Sequence, residues 1–282
     1  MYDVIIAAVW FIIFGGVFGF LLAYAGRIFR VGADGRADSV SKALPGLNCG
    51  GCGYAGCAAY ANAVVSKNEA ISKCPVGGEE SAGNIAAVLG VGGGEKPKRY
   101  RAQVMCSGTN DLAKKKYIYE GIADCAAVNR LAGGDKMCPS GCIGHGTCVK
   151  VCPFGAIQII NGVAAVSYDK CRACGMCVRA CPKDIIKLVP YESQYWVGCM
   201  SSDNGTLTKA YCDVGCTGCR LCQRECPNGA IKSGRHNAVI DYDKCDGCGK
   251  CSEVCPRRII WSGKKRREGS TISRQDLADH DD

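Results

Sequence analysis

Eight cysteines between Cys138 and Cys181 recur 74 positions further along the chain, each landing on another cysteine. Cys138, Cys142, Cys148, Cys152, Cys171, Cys174, Cys177 and Cys181 map onto Cys212, Cys216, Cys222, Cys226, Cys245, Cys248, Cys251 and Cys255. Three runs, Cys171–Pro182, Cys216–Pro227 and Cys245–Pro256, share the form C-x2-C-x2-C-x3-C-P. Two-residue gaps let one tight loop wrap three thiolates around a small polynuclear centre, and the fourth cysteine, followed by proline, opens a segment leading to a neighbouring centre. Zinc sites favour two CxxC pairs parted by a long spacer, and disulfide frameworks belong to short secreted domains. A 282-residue chain with compact runs ending in proline fits neither.

The runs resemble those of bacterial two-cluster ferredoxins, in which three thiolates hold one [4Fe–4S] cluster and the fourth ligates its twin. The resemblance implies one set of Cys216, Cys219, Cys222 and Cys255 and another of Cys245, Cys248, Cys251 and Cys226. In the first copy it implies Cys171, Cys174, Cys177 and Cys152. The remaining site is irregular, because His145 stands where the second copy has Cys219. Cys142, Cys148 and Cys181 therefore need another ligand. Cys138 is expected ahead of His145, since thiolate suits iron–sulfur chemistry better, whereas histidine would raise the potential.

Residues 4–26 are uncharged and long enough to cross a bilayer, which takes about 20 apolar residues. Arg27 and Arg30 follow, with Arg36 and Lys42 beyond, while Asp3 is the one charge before the segment. The positive-inside tendency then puts the bulk of the chain in the cytoplasm, anchored in the inner membrane by one span. The absence of a basic n-region argues against reading Ala23-Tyr24-Ala25 as a signal-peptide cleavage site. Gly15 and Gly19 form a GxxxG pair, which permits close packing on another membrane helix.

Ahead of the duplication lie Cys49, Cys52, Cys57 and Cys74, the first two among Asn48, Gly50, Gly51 and Gly53. A helix over 58–70 would return Cys74 to a further [4Fe–4S] site. Residues 79–99 read as a glycine-rich, then basic, linker. Gly90-x-Gly92 is not a dinucleotide fingerprint, for Glu95 stands at the third glycine position. The hydrophobic helix, the C-G-G-C-G-Y-x-G-C motif from Cys49 to Cys57, the stretch from Tyr117 to Cys125 and the block from Cys138 to Pro153 together resemble the RnfB components of Rnf complexes. The resemblance implies an electron-transfer subunit of a membrane ferredoxin:NAD⁺ oxidoreductase that translocates sodium ions or protons. Partners would be the other Rnf subunits and reduced ferredoxin. The Cys49 motif also resembles an iron–sulfur domain of the corrinoid protein of acetyl-CoA synthesis.

The fold expected is α+β: one transmembrane helix (1–26), a juxtamembrane linker (27–42), a small [4Fe–4S] domain (43–78), the linker 79–99, ferredoxin-like modules over 100–189 and 190–262, and a flexible charged tail over 263–282. Strands are expected near 156–160 and 163–166. Five [4Fe–4S] clusters use twenty of the 24 cysteines and leave Cys106, Cys125, Cys199 and Cys212. Cys106 and Cys199 are offset by 93 against 74 elsewhere, so the first copy holds a 19-residue insertion that includes Cys125. The spare thiols could hold a sixth cluster, although nothing in their spacing makes them converge.

The chain shows no phosphate loop, catalytic triad or flavin-attachment motif, and no nucleic acid is expected as a partner. A net charge of +9, with basic stretches at 96–101, 114–116 and 264–267, suits an acidic ferredoxin. The alternative is a tethered polyferredoxin serving another redox enzyme, or a redox sensor or scaffold. Reduced thiols in this number imply a reducing compartment, and small modules of this kind draw much of their folding energy from the metal.

Overall fold

The computed structural model describes residues 2–28, 35–92, 98–234 and 236–262. The basic stretch 264–267, the tail 263–282 and Lys96 lie outside the described residues.

Helix α1 (Tyr2–Ile28) is 27 residues long, about 40 Å at 1.5 Å per residue, against a hydrocarbon core of about 30 Å. Its apolar window Ala8–Arg27 is buried against nothing among the described residues. A helix that is apolar all round and uncovered is suited to lipid.

Three helices enclose the first cysteine-rich domain: α2 (Gly35–Lys42), α3 (Cys57–Lys67) and α4 (Gly78–Leu89). Their shared core is Val40, Leu44, Tyr60, Ala61, Val64, Cys74 and Ile85. Two expected linkers are thereby corrected. Part of 27–42 forms α2, which buries Ala37 and Val40, and part of 79–99 forms α4, which buries Ser81, Ile85 and Ala86. The i, i+4 spacing of Ser81 and Ile85 makes one inward face, and Gly90 closes α4 in the left-handed conformation (φ 65°) rather than opening a linker.

In the first ferredoxin-like module β1 (Tyr100–Val104) pairs antiparallel with β4 (Ile186–Pro190), Ala102 opposite Leu188. Between them run α5 (Cys125–Arg130), α6 (Thr147–Lys150), the hairpin β2 (Ile157–Ile160) and β3 (Val163–Val166), and α7 (Met176–Ala180). The second module repeats the plan. Strand β5 (Tyr195–Val197) pairs with β8 (Ile260–Ser262), around α8 (Gly205–Tyr211), α9 (Leu221–Arg224), the hairpin β6 (Ile231–Ser233) and β7 (Ala238–Ile240), and α10 (Lys250–Glu253).

Helices α6, α7, α9 and α10 have four or five residues, too short to persist alone. Each places a buried cysteine at its second position: Cys148, Cys177, Cys222 and Cys251. The apolar cores are correspondingly small, and these thiols belong to them, beside Val104, Ile157, Val163 and Ile186 in one module and Val197, Ile231, Ile240 and Ile260 in the other.

The modules meet through Met105, Val189 and Trp196, with Tyr168, Met200, Tyr242 and Trp261 around them. Backbone hydrogen bonds from Lys114 N to Tyr211 O and from Asp213 N to Leu112 O, each 2.8 Å, stitch the joint. Arg101, counted in sequence with the basic stretch 96–101, is 3% exposed here. Its guanidinium stacks 3.7 Å from the Tyr168 ring centroid and donates to Ser193 O at 2.7 Å, so it is a packing residue and not part of a docking patch.

Candidate metal centres

In the second module Cys216, Cys219, Cys222 and Cys255 line one cavity, walled by Leu221, Ala238 and Ile260. The partner set gathers around Cys251, whose thiol is pushed up to about 12 by burial and by the nearby Cys245, Cys222, Cys248 and Cys226. In the first module, burial and the facing Cys171, Cys174 and Cys152 push Cys177 up to about 12. The groupings around Cys216 and Cys177 bring together the residues expected from the ferredoxin resemblance, and around Cys251 the expected Cys226, Cys245 and Cys248 are joined by Cys222 of the neighbouring set.

The irregular site differs from the expectation. Its cavity is lined by Cys125, Cys142, Cys148 and Cys181. Cys138 lies in a separate cavity with Cys106, Cys199 and Cys212. His145 instead meets Tyr119 edge to face, with ring centroids 5.2 Å apart. The reason lies in the insertion. Asp124 caps α5 by accepting from Ala127 N at 2.9 Å, and its other oxygen accepts from Thr147 Oγ1 at 2.7 Å. Cys125 N in turn donates to Thr147 Oγ1 at 2.7 Å, which fixes the start of α5 against the start of α6. The Thr147 hydroxyl, then the Ala127 N–H, hold the Asp124 carboxyl below its usual range. A cysteine lost at 145 is thus matched by one brought in at 125. That pairing of a gap with an insertion was the signal available in the sequence.

At the first centre Asn48 Oδ1 accepts from Cys57 N at 2.8 Å, tying the loop to the start of α3. Burial raises the Cys74 thiol; the Gly77 N–H, which donates to its sulfur at 3.4 Å, works against this, and Cys52 and Cys49 add to the rise. This loop sits directly on the first ferredoxin-like module. A Cβ on Gly51 would stand 2.9 Å from Pro75 Cγ and 3.1 Å from the Cys174 carbonyl oxygen. Arg179 donates to the Cys49 carbonyl, and Cys49 is among the groups that raise the Cys174 thiol.

An Fe-S cluster family model matches residues 44–76, and 4Fe-4S dicluster domain models match 141–186, 215–260 and, across the two copies, 170–230. Over 233 residues the chain is 42% identical to the B component of the Na⁺-translocating ferredoxin:NAD⁺ oxidoreductase complex of Acetobacterium woodii, covering 82% of this chain and 70% of that one. It is 44% identical to the B component of the proton-translocating ferredoxin:NAD⁺ oxidoreductase complex of Clostridium ljungdahlii, covering 86% and 85%. The B component of an ion-translocating oxidoreductase complex of Methanosarcina acetivorans is 40% identical over 82% of this chain and 87% of its own. The chain belongs to the RnfB family. It is an iron–sulfur electron-transfer subunit of the Rnf complex, carries multiple [4Fe–4S] clusters, and is membrane-associated through α1.

The thiols of this Rnf component suit such clusters. Among the described residues no three His, Cys, Asp or Glu side chains close on a point that would hold a single ion. They stand around cavities instead, as a polynuclear centre requires. None of the 24 cysteines is joined in a disulfide, so all remain available as ligands. Burial raises many of these thiols, so ligation must expel protons, and the binding energy is released only where the fold brings four together.

Proposed function

We propose that five thiol sets hold [4Fe–4S] clusters: Cys49, Cys52, Cys57 and Cys74; Cys152, Cys171, Cys174 and Cys177; Cys125, Cys142, Cys148 and Cys181; Cys216, Cys219, Cys222 and Cys255; and Cys226, Cys245, Cys248 and Cys251. Bound there, the clusters supply one-electron exchange, and the chain sets their order, burial and hydrogen bonding. The observation that carries this reading is the contiguity of the sets. Cys125 and Cys177 both face Cys148, and the Cys174 loop touches Gly51 of the Cys49 set, the set nearest to α1 along the chain.

Reduced ferredoxin is the donor in this reading. It docks beside the Cys125 centre, where Lys114, Lys115 and Lys116 are exposed and Ile118 and Ile122 are 86% and 74% exposed. Opposite charge speeds such an encounter, and an apolar patch holds it. Electrons then pass toward the membrane end and on to other Rnf subunits, on the cytoplasmic side that Arg27 indicates, and the complex couples their passage to sodium-ion or proton movement.

The test is the double variant Lys114→Glu with Lys116→Glu. Lys115 is left alone because it pairs with the buried Asp135 at 3.1 Å. Oxidation of reduced ferredoxin should slow at least tenfold at low salt while iron content holds. Unchanged ferredoxin kinetics would remove this docking site.

A further inference from the structure

Cys106, Cys138, Cys199 and Cys212 line one cavity at the joint between the two modules. We infer that it is a sixth iron–sulfur site, holding a [4Fe–4S] cluster with two thiolates from each module. The inference rests on the chain being an iron–sulfur protein and on two of the proposed sets, Cys216 with Cys219, Cys222 and Cys255, and Cys125 with Cys142, Cys148 and Cys181, being complete without Cys212 and Cys138.

The four residues are two equivalent pairs. Cys212 is the copy of Cys138 at the 74-residue offset, while Cys106 and Cys199 each lie two residues beyond the first strand of their own module. The second module already has a full ligand set without Cys212, and the first obtains its own from Cys125. Cys138 and Cys212 are therefore free to face each other across the joint, and the site is a pseudo-twofold one.

Backbone donors point at its sulfurs. Cys142 N donates to Cys106 Sγ at 3.4 Å, and Ser201 N and Cys216 N donate to Cys199 Sγ at 3.4 and 3.3 Å. N–H···S bonds of this kind stabilise ligated thiolate. A Cβ on Gly108 would lie 3.4 Å from Cys212 Sγ and 3.9 Å from Cys106 Sγ, so the wall is bare there.

Lys136 adds a supporting observation. It lines the cavity and is 3% exposed, with its ammonium donating to the carbonyls of Gly108 (2.7 Å) and Gly162 (2.9 Å). Among the described residues no carboxylate pairs with it. A buried cation without a counter-charge is costly, and thiolates ligating here would provide one together with Cys142 of the adjoining centre, which Lys136 also faces. Two of the three amides that reach this site belong to Cys142 and Cys216, ligands of the adjoining centres. A cluster here therefore stands between the two modules' own centres and staples the modules together.

The experiment counts iron and acid-labile sulfide in the anaerobically purified full chain, with alkylation of the four thiols before and after iron removal. Six clusters give about 24 irons per chain and five give about 20. The expected result is about 24, with all four thiols protected until iron is removed. The variant Cys106→Ala with Cys199→Ala should lose about four irons and four sulfides and become more open to protease between the modules. About 20 irons with one zinc, or with four reactive thiols in the folded protein, would overturn the inference, as would an unchanged iron count in the double variant. Should that variant fail to fold, the native count and alkylation pattern decide. A native count below 20 with the joint thiols protected would tell against the five-site assignment and leave the joint site standing.

Discussion

The indole N–H of Trp261 donates to Ser107 Oγ at 2.7 Å, joining the last strand of the second module to the residue after Cys106 in the first. Trp261→Phe keeps most of the packing and removes the donor. The expected loss is about 1 kcal/mol, the net worth of one such bond. It should appear as a lower denaturation midpoint and faster proteolysis near 190–194, with iron content unchanged.

Replacing Cys125 and replacing His145 should have opposite outcomes. Cys125→Ala removes one of the four thiols at the irregular cavity and should cost about one cluster, four irons, or leave a three-iron remnant visible by electron paramagnetic resonance. His145→Ala should leave the iron count as it was, because the ring faces Tyr119.

Asp124 is a positioning residue for that same thiol. Its carboxyl is held low by Thr147 first and by Ala127 next, so its folded value lies below the unfolded one. The ionised carboxylate therefore stabilises the fold above the ordinary carboxylate range, and this contribution is lost as pH falls through the lowered value. Asp124→Ala should lower the thermal midpoint at neutral pH, and the gap from the parent protein should narrow on acidification. Midpoints read from the visible absorption of the clusters across the acidic range would check this.

Gly51→Ala should separate binding from transfer. The new Cβ has no room between Pro75 and the Cys174 carbonyl, so the first cysteine-rich domain must shift off the ferredoxin-like module. Both cluster sets should remain loaded, while rapid-mixing kinetics show slower electron passage between them. Equal rates in parent and variant would mean that this contact is not the route.

Iron chelation should unfold the two modules and not merely bleach them. Their short helices and small cores depend on thiols that only a bound centre draws together. Circular dichroism should fall together with the visible absorption, while the helical core of α2, α3 and α4 loses Cys74 but retains Val40, Tyr60 and Ile85 and should melt less completely.

Cysteine spacing alone determined the duplication, and the ferredoxin resemblance it carries implied the two modules and the grouping around Cys216, Cys177 and Cys251, because those ligands come from one tight loop and its twin at a fixed offset. Hydropathy alone determined α1. Spacing was silent on Cys125, which reaches its cavity only through the bonds among Asp124, Thr147 and its own amide. It was equally silent on α4, whose glycines read as a linker although Ser81 and Ile85 share a buried face. The joint was the least legible feature of all. Cys106, Cys138, Cys199 and Cys212 come from four separate segments, and nothing local encodes their meeting. Loop geometry is a short-range property that a motif can record; the approach of two modules depends on the packing of Met105, Trp196 and Trp261 across an interface, which exists only once both have folded.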